Sequence, residues 1–510
     1  MKILKFIKKI VFSRITIAIL SLVIQLAIIM FLFLYFSKHI VWIFGGFGVI
    51  STVLVLFIIN SNANPSYKIA WIIPLLLFPG VGVLIYLFCK LQLSIRIMKR
   101  RLNKIKVNSK KYLIQDNKLL NNIKEEDKKL YNLSMYINKT SNFPIYKIDK
   151  IKYFESGLLQ FKDMLEELKR AKEYIFLEYF IIEKGYMFNT ILNILKQKAK
   201  EGVEVRIMYD GFGSLLLLDK DCPNSLEEFN IKCKIFSPIK PVISVHQNYR
   251  DHRKICIIDG KIAYTGGINI ADEYINFKKR FGYWKDTGIK IEGKAVNSFI
   301  TMFLELWNID NNVLEYNNYL KSNKESDNNG YIIPYSDNPL DEYEVGKKVY
   351  LDVLNNADDY VYITTPYLIL DDEMLSSLTY ASLRGVDVRI IMPSIPDKKL
   401  VYYLGRSYYY ELLKAGVKIY EYKYGFVHSK MFISDDIKAV VGTINLDYRS
   451  LYLHFECGCY IYNNKVINDI KSDYVNIIKN SYEITIEDIK KYSIIKRMIG
   501  RILRFLAPLM

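Results

Sequence analysis

Cysteine is scarce in this sequence, with six residues among 510. No two of the six form a C-x-x-C pair and their spacing matches no metal site, which excludes a cysteine-based metal centre or redox motif. Scattered cysteines of this kind are typical of a reducing compartment. The sequence therefore predicts that the part of the chain beyond residue 200, which carries five of the six cysteines, lies in the cytosol.

Histidine is scarcer still, with five residues, and two of the five open a repeated pattern. Residues 252–269 read HRKICIIDGKIAYTGGIN, and residues 428–445 read HSKMFISDDIKAVVGTIN. The matched residues are His252, Lys254, Asp259, Gly266 and Asn269 in the first copy and His428, Lys430, Asp435, Gly442 and Asn445 in the second. One copy alone would fit an ordinary surface strand with a turn, but two copies with the same offsets argue against chance.

The pattern predicts two hairpins that converge on a phosphate diester. Side chains two positions apart share one face of a strand, so His252 and Lys254 point the same way. The dipeptide Asp259-Gly260 predicts the hairpin turn. Two facing hairpins would let one His attack phosphorus while the other protonates the leaving oxygen. The lysines and asparagines would bind the phosphate oxygens, so neither a metal nor a cofactor is required.

Three acidic residues have roles that the pattern leaves open. Asp259 and Asp435 belong to the repeated pattern and are counted with its catalytic residues. Both lie at or near a turn and at an odd offset from the His, which favours a structural role. Glu178, in the predicted strand FLEYF, has two interpretations: contact with substrate or pairing with a buried cation.

The duplicated H-x-K-x4-D pattern resembles the signature of the phospholipase D superfamily, and its surroundings resemble bacterial cardiolipin synthases. The first half carries YRDHRKICIIDGKIAYTGGINIADEY and YWKDTG, and the second carries GVKIYEYKYGFVHSK, VGTINLDYRS and LHFE. The resemblance covers most of the chain after about residue 150 and part of the hydrophobic N-terminus. It implies an α/β fold of two homologous phospholipase-D-like units, packed as a pseudo-dimer with mixed sheets flanked by helices.

The resemblance also implies how the imidazoles are oriented. Asp286, in YWKDTG, would hold His252, and Glu456, in LHFE, would hold His428. One departure is visible, since His454 stands where related synthases usually carry Asn, and a third imidazole could compete for Glu456.

The implied activity is that of a cardiolipin synthase, a phosphatidyltransferase that joins two phosphatidylglycerol molecules and releases glycerol through a phosphohistidine intermediate. His252 is the expected nucleophile and His428 the expected acid and base, although the pattern is nearly symmetric. Alternatives are a phospholipase D-type hydrolase or another phosphatidyltransferase, and further a membrane-bound phosphodiesterase, a nuclease or a non-enzymatic scaffold. The sequence does not set the oligomeric state.

Charge and hydropathy predict a membrane protein. A net charge of +18 indicates an anionic partner, either anionic membrane lipids or nucleic acid. Three apolar runs, Ile15–Phe36, Ile40–Ile59 and Ile69–Cys89, favour the membrane, so no nucleic acid is expected. Basic residues flank both ends of this region, which favours an even number of spans, whereas three runs are odd. We expect a multi-pass plasma-membrane protein with its catalytic domains on the cytoplasmic side.

The echo of GVEVRI at residues 202–207 in GVDVRI at 385–390 supports an internal duplication. In each half the predicted order of strand, helix and strand indicates a mixed or parallel sheet covered by helices. The expected divisions are a membrane anchor of two to three segments at 1–92, a basic connector at 93–150, a first phospholipase-D-like domain at 151–315, a polar linker at 316–340, a second such domain at 341–493 and a basic amphipathic helix at 494–510.

Overall fold

The computed structural model describes most of the chain and divides it into two compact units. The described residues are 23, 24, 26–28, 30, 31, 40–62, 64–90, 93–239, 245–310, 315–321 and 329–509. The larger unit takes in Lys99–Phe236 and Arg250–Arg504, and so contains both copies of the repeated pattern. The other unit takes in Met1–Met98, Ser237–Tyr249 and Phe505–Met510.

Helices and strands alternate through the larger unit. The α-helices with described bounds are Ile40–Ile59, Pro65–Leu77, Pro79–Lys90, Leu93–Ser109, Asn117–Glu126, Lys128–Ser141, Gly157–Arg170, Tyr186–Lys200, Cys222–Glu227, Val296–Trp307, Val345–Asn355, Asp372–Leu383, Lys399–Arg406, Tyr409–Lys414, Tyr448–Tyr452, Val466–Lys479, Ile486–Lys491 and Ile494–Leu506. The strands are β1 Tyr146–Lys147, β2 Lys150–Phe154, β3 Tyr174–Tyr179, β4 Glu204–Asp210, β5 Ile231–Phe236, β6 Arg250–Asp251, β7 Lys254–Ile258, β8 Ile262–Gly266, β9 Tyr283–Lys285, β10 Gly288–Glu292, β11 Tyr331–Asp337, β12 Tyr360–Thr364, β13 Asp387–Pro393, β14 Lys418–Tyr422, β15 Gly425–Val427, β16 Met431–Ser434, β17 Lys438–Gly442, β18 His454–Tyr462 and β19 Ser481–Ile484.

Two mixed sheets repeat the same strand order. The first sheet runs β2-β10-β8-β7-β3-β4-β5, and the second contains β11-β18-β17-β16-β12-β13-β14 in the same succession. In the first sheet β3 pairs parallel with β4 and antiparallel with β7 of the motif hairpin. In the second sheet β12 pairs parallel with β13 and antiparallel with β16 of the other motif hairpin. Strands β3 and β7 are buried along their whole length, which is why both are mainly apolar, with Glu178 and Lys254 as buried exceptions. The predicted duplicated α/β fold is therefore confirmed.

Each copy of the pattern folds into the predicted hairpin. The turn between β7 and β8 places Asp259 and Gly260 at φ of 53° and 63°. The turn between β16 and β17 places Asp435 and Asp436 at 55° and 58°. Two successive left-handed residues make the turn whose twist matches that of the flanking strands, and Asp and Gly tolerate this conformation best.

Two short parallel pairs join the halves around the motif histidines. Strand β6, which leads into His252, pairs with the start of β18 through Arg250↔His454 and Asp251↔Phe455. Strand β15, which leads into His428, pairs with β9. Each histidine thus enters the fold beside a strand of the other half.

Most of the residues predicted as a basic connector, 99–150, are part of the larger unit. Within 93–150, helix Lys128–Ser141 buries Leu130, Leu133 and Ile137, and it packs against β11. Strand β1 also pairs antiparallel with β11, so this region completes the second sheet instead of merely joining two domains.

The polar linker predicted at 316–340 is shorter than expected. Its last part forms β11, which is buried over most of its length and pairs antiparallel with β18 from Tyr331↔Tyr462 to Asp337↔Glu456. The strand begins with the short continuous apolar run YIIPY, which the polar residues before it masked in the sequence.

The apolar N-terminal region is helical where it is described. The predicted segment Ile15–Phe36 lies largely outside the described residues, and the predicted segment Ile40–Ile59 is one helix of 20 residues. The third predicted segment is broken after Leu77, because Phe78 leaves the helical conformation and a second helix begins at Pro79.

The helical stretch Pro79–Tyr112, in which residues 91 and 92 lie outside the described residues, is long and apolar enough to cross a membrane by its length and composition. The other apolar stretches of this region, Gly45–Ile59 and Pro65–Leu77, are shorter than 18 residues.

Candidate active site

His252 is held by a carboxylate from the other half of the chain. Its Nδ1 lies 2.9 Å from Oε1 and 3.0 Å from Oε2 of Glu456. Glu456 is fully buried, and the hydroxyl of Thr443 donates to its Oε2. The backbone N–H of His252 donates to the carbonyl of Phe455 over 2.9 Å, so the β6–β18 pairing fixes the register of the contact.

His428 is held in the same way by the first half. Its Nδ1 lies 2.7 Å from Oδ2 of Asp286. The other carboxylate oxygen, Oδ1, accepts the backbone N–H of Thr287 over 2.8 Å. The N–H of His428 donates to the carbonyl of Lys285 over 2.7 Å, next to the β9–β15 pairing.

These contacts correct the pairing that the resemblance implied. Asp286 binds His428 and not His252, and Glu456 binds His252 and not His428. The reason is the crossed pairing of β6 with β18 and of β9 with β15, which sets each carboxylate beside the histidine of the other motif. Both carboxylates therefore contact imidazole nitrogens as expected, but across the interface between the halves.

The geometry that the two motifs share requires a glycine before each turn that carries an asparagine. A Cβ on Gly266 would meet the carbonyl oxygen of Thr287 at 2.4 Å, and a Cβ on Gly442 would meet that of Cys457 at 2.5 Å. Each glycine thus lets the strand behind Asp286 or Glu456 approach closely.

Burial sets the resting protonation of the site. Burial lowers the pKa of His252 well below its ordinary value, in spite of the neighbouring Glu456. Burial, with the charge of Lys430, lowers the pKa of His428 to about 4. Burial opposes ionisation of Glu456, but its interactions with His252 outweigh this and hold the pKa of the carboxyl below its usual range. Each imidazole is therefore neutral at rest and donates its Nδ1–H to a carboxylate, which leaves Nε2 for chemistry.

The two motif lysines supply positive charge within the same buried space. Nζ of Lys254 donates to the carbonyl of His252 over 2.6 Å, and Nζ of Lys430 donates to the carbonyl of His428. Burial lowers the pKa of Lys254 to about 8 and that of Lys430 to about 7. The charge of Lys254 also lowers the pKa of Lys430 and of His428, so the two motifs form one electrostatic site.

The two motif asparagines are not equivalent. Oδ1 of Asn269 accepts the N–H of Ile181 over 3.0 Å, and its Nδ2 donates to the hydroxyl of Tyr274 over 2.6 Å. Oδ1 of Asn445 is buried without a hydrogen-bond partner among the described residues. Asn269 thus positions the loop after β3, and phosphate binding by either amide stays a prediction.

Asp259 and Asp435 make structural contacts. Oδ1 and Oδ2 of Asp259 accept the backbone N–H groups of residues 172–174, at 2.7 to 3.2 Å. Asp435 accepts those of residues 358–360, at 2.9 to 3.0 Å. Each carboxylate therefore ties its hairpin turn to the start of a neighbouring strand, β3 for Asp259 and β12 for Asp435. These contacts support the structural role that the odd offset from the His favoured, and not a catalytic one.

Glu178 faces a buried cation. It is fully buried, and its Oε1 lies 3.7 Å from Nη1 of Arg253. This contact favours the second interpretation of Glu178, pairing with a cation in the core.

Several residues around the histidines carry no sequence signal that would have marked them. The ring of Phe180 lies 5.0 Å from that of His252, and the rings of Tyr274 and Trp284 lie 5.4 and 5.3 Å from that of His428. Thr443, which donates to Glu456, follows the glycine of the second motif. Of these residues only Trp284 could have drawn attention, because it lies two residues before Asp286, as His454 lies two residues before Glu456.

Comparison with known proteins places this site in a family. The family described as "Cardiolipin synthase, PLD-like domain" matches residues 164–307 and 350–478. This chain belongs to the cardiolipin synthase family of phospholipase-D-like proteins. The expected superfamily and the expected enzyme class, a phosphatidyltransferase of the cardiolipin synthase type, are thereby confirmed. A second family, "Phospholipase_D-nuclease N-terminal", matches residues 49–89 and indicates an enzyme associated with a membrane.

Individual relatives align over nearly the whole chain. A protein of Streptococcus mutans serotype c, described as uncharacterized, is 50% identical over 89% of this chain and 99% of its own length. A cardiolipin synthase of Alkalihalophilus pseudofirmus is 35% identical over 94% of this chain and 98% of its own length. Among solved structures, a phosphatidylserine synthase of Haemophilus influenzae Rd KW20 shares the fold at a TM-score of 0.59 and 15% identity, covering 75% of this chain and all of the other.

Proposed function

We propose that this cardiolipin synthase uses phosphatidylglycerol as both donor and acceptor, with His252 as nucleophile and His428 as acid and base. The observation that carries the proposal is the crossed pair of buried imidazole–carboxylate contacts, with the charge of Lys254 acting on His428 and Lys430 of the other motif. Each contact joins one motif to the other half, so neither half contains a complete site by itself.

In the first step Nε2 of His252 attacks the phosphorus atom of a phosphatidylglycerol. A P–N bond forms, the P–O bond to the headgroup glycerol breaks, and the departing oxygen takes a proton from His428. Glu456 stabilises the positive charge that develops on the His252 ring, and Lys254 and Lys430 stabilise the charge on the phosphate oxygens. Since His428 is neutral in the empty site, the proton that it delivers must be acquired together with the anionic substrate, whose charge favours the imidazolium form.

In the second step the terminal hydroxyl of another phosphatidylglycerol attacks the phosphatidyl-histidine. His428 accepts the hydroxyl proton, the new P–O bond forms, and the P–N bond to His252 breaks. The products are cardiolipin and one glycerol, and both imidazoles return to their starting protonation states. Water in place of the second lipid would give phosphatidic acid.

The purified full-length chain in detergent, supplied with phosphatidylglycerol and followed by mass spectrometry, tests this proposal. Cardiolipin with an equal amount of glycerol is the expected result. Phosphatidic acid as the main product would instead identify a hydrolase, and cardiolipin formed without release of glycerol would contradict phosphatidylglycerol as donor.

We further propose that the apolar N-terminal region crosses the plasma membrane and that the catalytic unit faces the cytoplasm. The net charge of +18, the match to the membrane-associated N-terminal family and the apolar helix Pro79–Tyr112 support this placement. Single cysteines introduced at exposed positions after this helix, such as Ile114→Cys, into a cysteine-free variant should be labelled by an impermeant reagent only in opened cells. Labelling in intact cells would contradict the cytoplasmic assignment.

The C-terminal helix Ile494–Leu506 fits the surface of an anionic membrane. Gly500 packs closely against the backbone of Tyr403, whereas Ile495 and Ile502 are more than 60% exposed. Exposed apolar residues beside Arg and Lys are typical of interfacial helices. Ile495→Ser with Ile502→Ser should weaken binding of the detergent-purified chain to anionic vesicles, and unchanged binding would contradict this role.

A further inference from the structure

Three possible metal ligands meet at one side of the active site. One ligand atom from each of His252, His454 and Glu456 lies within 4.8 Å of the other two. All three side chains are buried, with 7%, 8% and 0% of their surface exposed. Within the described part of the chain this is the one such group of histidine, cysteine and carboxylate side chains.

His454 is the unexplained member of this group. It lies on β18 two positions before Glu456, so both side chains project from the same face of the strand. Its Nδ1 is 3.6 Å from Oε1 of Glu456, which is too long for a hydrogen bond. Neither ring nitrogen of His454 has a hydrogen-bond partner among the residues that the structure describes, although both are buried. Buried polar atoms normally have a partner, so these two nitrogens point to a ligand. The nitrogen that carries no proton has a lone pair with which to bind it.

We propose that His252, Glu456 and His454 bind a divalent transition-metal ion, with Zn²⁺ as the best match, and that the bound ion inhibits the enzyme. Two imidazoles and one carboxylate form a known three-ligand set for zinc, which leaves a fourth position open. The hydroxyl of Thr443 donates to Glu456 and would orient that ligand. A neutral imidazole that binds an ion through one ring nitrogen carries its proton on the other, so Nε2 of His252 then has no free lone pair for attack on phosphorus. The inhibitory effect therefore rests on the proposed role of His252.

The matching position of the other motif does not offer a third ligand. Trp284 lies two residues before Asp286, as His454 lies two residues before Glu456. His428 and Asp286 therefore provide two ligands beside an indole ring that cannot coordinate an ion. The metal site is thus a property of one motif and not of the duplicated pattern.

Direct metal binding tests the site without reference to activity. The full-length chain in detergent is stripped with a chelator and dialysed against Zn²⁺, and bound metal is measured by inductively coupled plasma mass spectrometry. We expect one Zn²⁺ per chain, with affinity weakened at least about tenfold in His454→Asn, because ligand loss costs no less than loss of an outer partner. Cys89→Ser, which removes a partly exposed thiol of the N-terminal helices, should bind as the wild type does.

Cobalt provides a spectroscopic check of the same ligands. Co²⁺ bound by nitrogen and oxygen at low coordination number absorbs visible light, so the stripped wild type should develop bands that His454→Asn lacks. Wild type that binds no metal, or His454→Asn that binds Zn²⁺ and Co²⁺ as the wild type does, would overturn the site.

Inhibition is measured for each variant relative to its own activity in chelator. Zn²⁺ should suppress cardiolipin formation by the wild type at concentrations at least about tenfold below those needed for His454→Asn. Binding at His454 without any loss of activity would overturn the claim that the ion takes His252 from the reaction. Metal binding in a protein that forms no cardiolipin under any condition would contradict the proposed function and leave the site itself supported.

Discussion

The two motif histidines share one sequence pattern and differ in what surrounds them. His252 contacts a glutamate and lies beside Phe180 and His454. His428 contacts an aspartate and lies beside Tyr274 and Trp284. The duplication fixed the position of each imidazole, while the neighbours that tune its chemistry diverged.

The carboxylates are supported differently as well. The second oxygen of Glu456 receives the hydroxyl of Thr443, whereas the second oxygen of Asp286 receives a backbone N–H. The residue that matches Thr443 is Gly267, where a Cβ would lie 2.0 Å from Oδ1 of Asp286. A side chain at position 267 would therefore collide with the carboxylate of Asp286. The two motifs thus place their histidines in different surroundings within one site, so one histidine can serve as nucleophile and the other as acid and base.

The largest expected effect separates the two histidines by the step that each performs. His252→Ala and His428→Ala should each lower cardiolipin formation at least about 10³-fold, because groups that act as a unit fail together. With a phosphatidyl donor whose leaving group needs no proton, His428→Ala should still form a phosphatidyl–enzyme adduct, visible by intact mass, and His252→Ala should not. An adduct in His252→Ala that is absent from His428→Ala would reverse the assignment.

A smaller effect tests the crossed pairing. Glu456→Gln and Asp286→Asn should each lower kcat by about 10²-fold or more, since an amide neither holds the required tautomer nor stabilises the imidazolium. The activated donor should rescue adduct formation in Asp286→Asn, which acts through His428, and not in Glu456→Gln, which acts through His252. Rescue of Glu456→Gln alone would contradict the contacts seen between the halves.

The lysines differ in their pH dependence. Burial and the charge of Lys254 lower the pKa of Lys430 to about 7, and only its protonated form attracts the phosphate. The fraction that carries the proton falls as pH rises through this value, so kcat/KM should decline on the alkaline side. In Lys430→Arg the guanidinium stays charged, and the decline should begin at higher pH. A pH profile of Lys430→Arg identical to that of the wild type would show that another group sets the decline.

The smallest effect concerns the two turn aspartates and is one of stability. Asp259→Ala removes an acceptor of three backbone N–H groups in a buried setting and should lower the free energy of unfolding by about 1–3 kcal/mol. Asp435→Ala should cost less, because its carboxylate is only partly buried and water can replace it. Denaturant unfolding measures both. Activity per folded molecule should persist in each variant, and its loss without loss of stability would restore a catalytic role.

The local features of the fold were predictable from the sequence. The hairpin at Asp259-Gly260 and the buried strand around Glu178 follow from turn chemistry and residue pattern within short windows. The strand β11 was missed because its apolar run, YIIPY, is short and follows the polar residues 316–330. Which carboxylate meets which imidazole was predicted wrongly, because the pairing was taken from the family resemblance and the residues gave no information on how the two halves pack.

By itself the sequence determined the duplication, the α/β fold, the motif residues and the family. Each of these can be recognised from short segments of consecutive residues, without knowing which segments meet in space. Tertiary structure decided that Glu456 holds His252 across 204 positions and that Asp286 holds His428 across 142. It also brought His454 beside both members of the first pair. The reason is that parallel pairing of β6 with β18, and of β9 with β15, depends on how two sheets pack, and no spacing within either half encodes that packing.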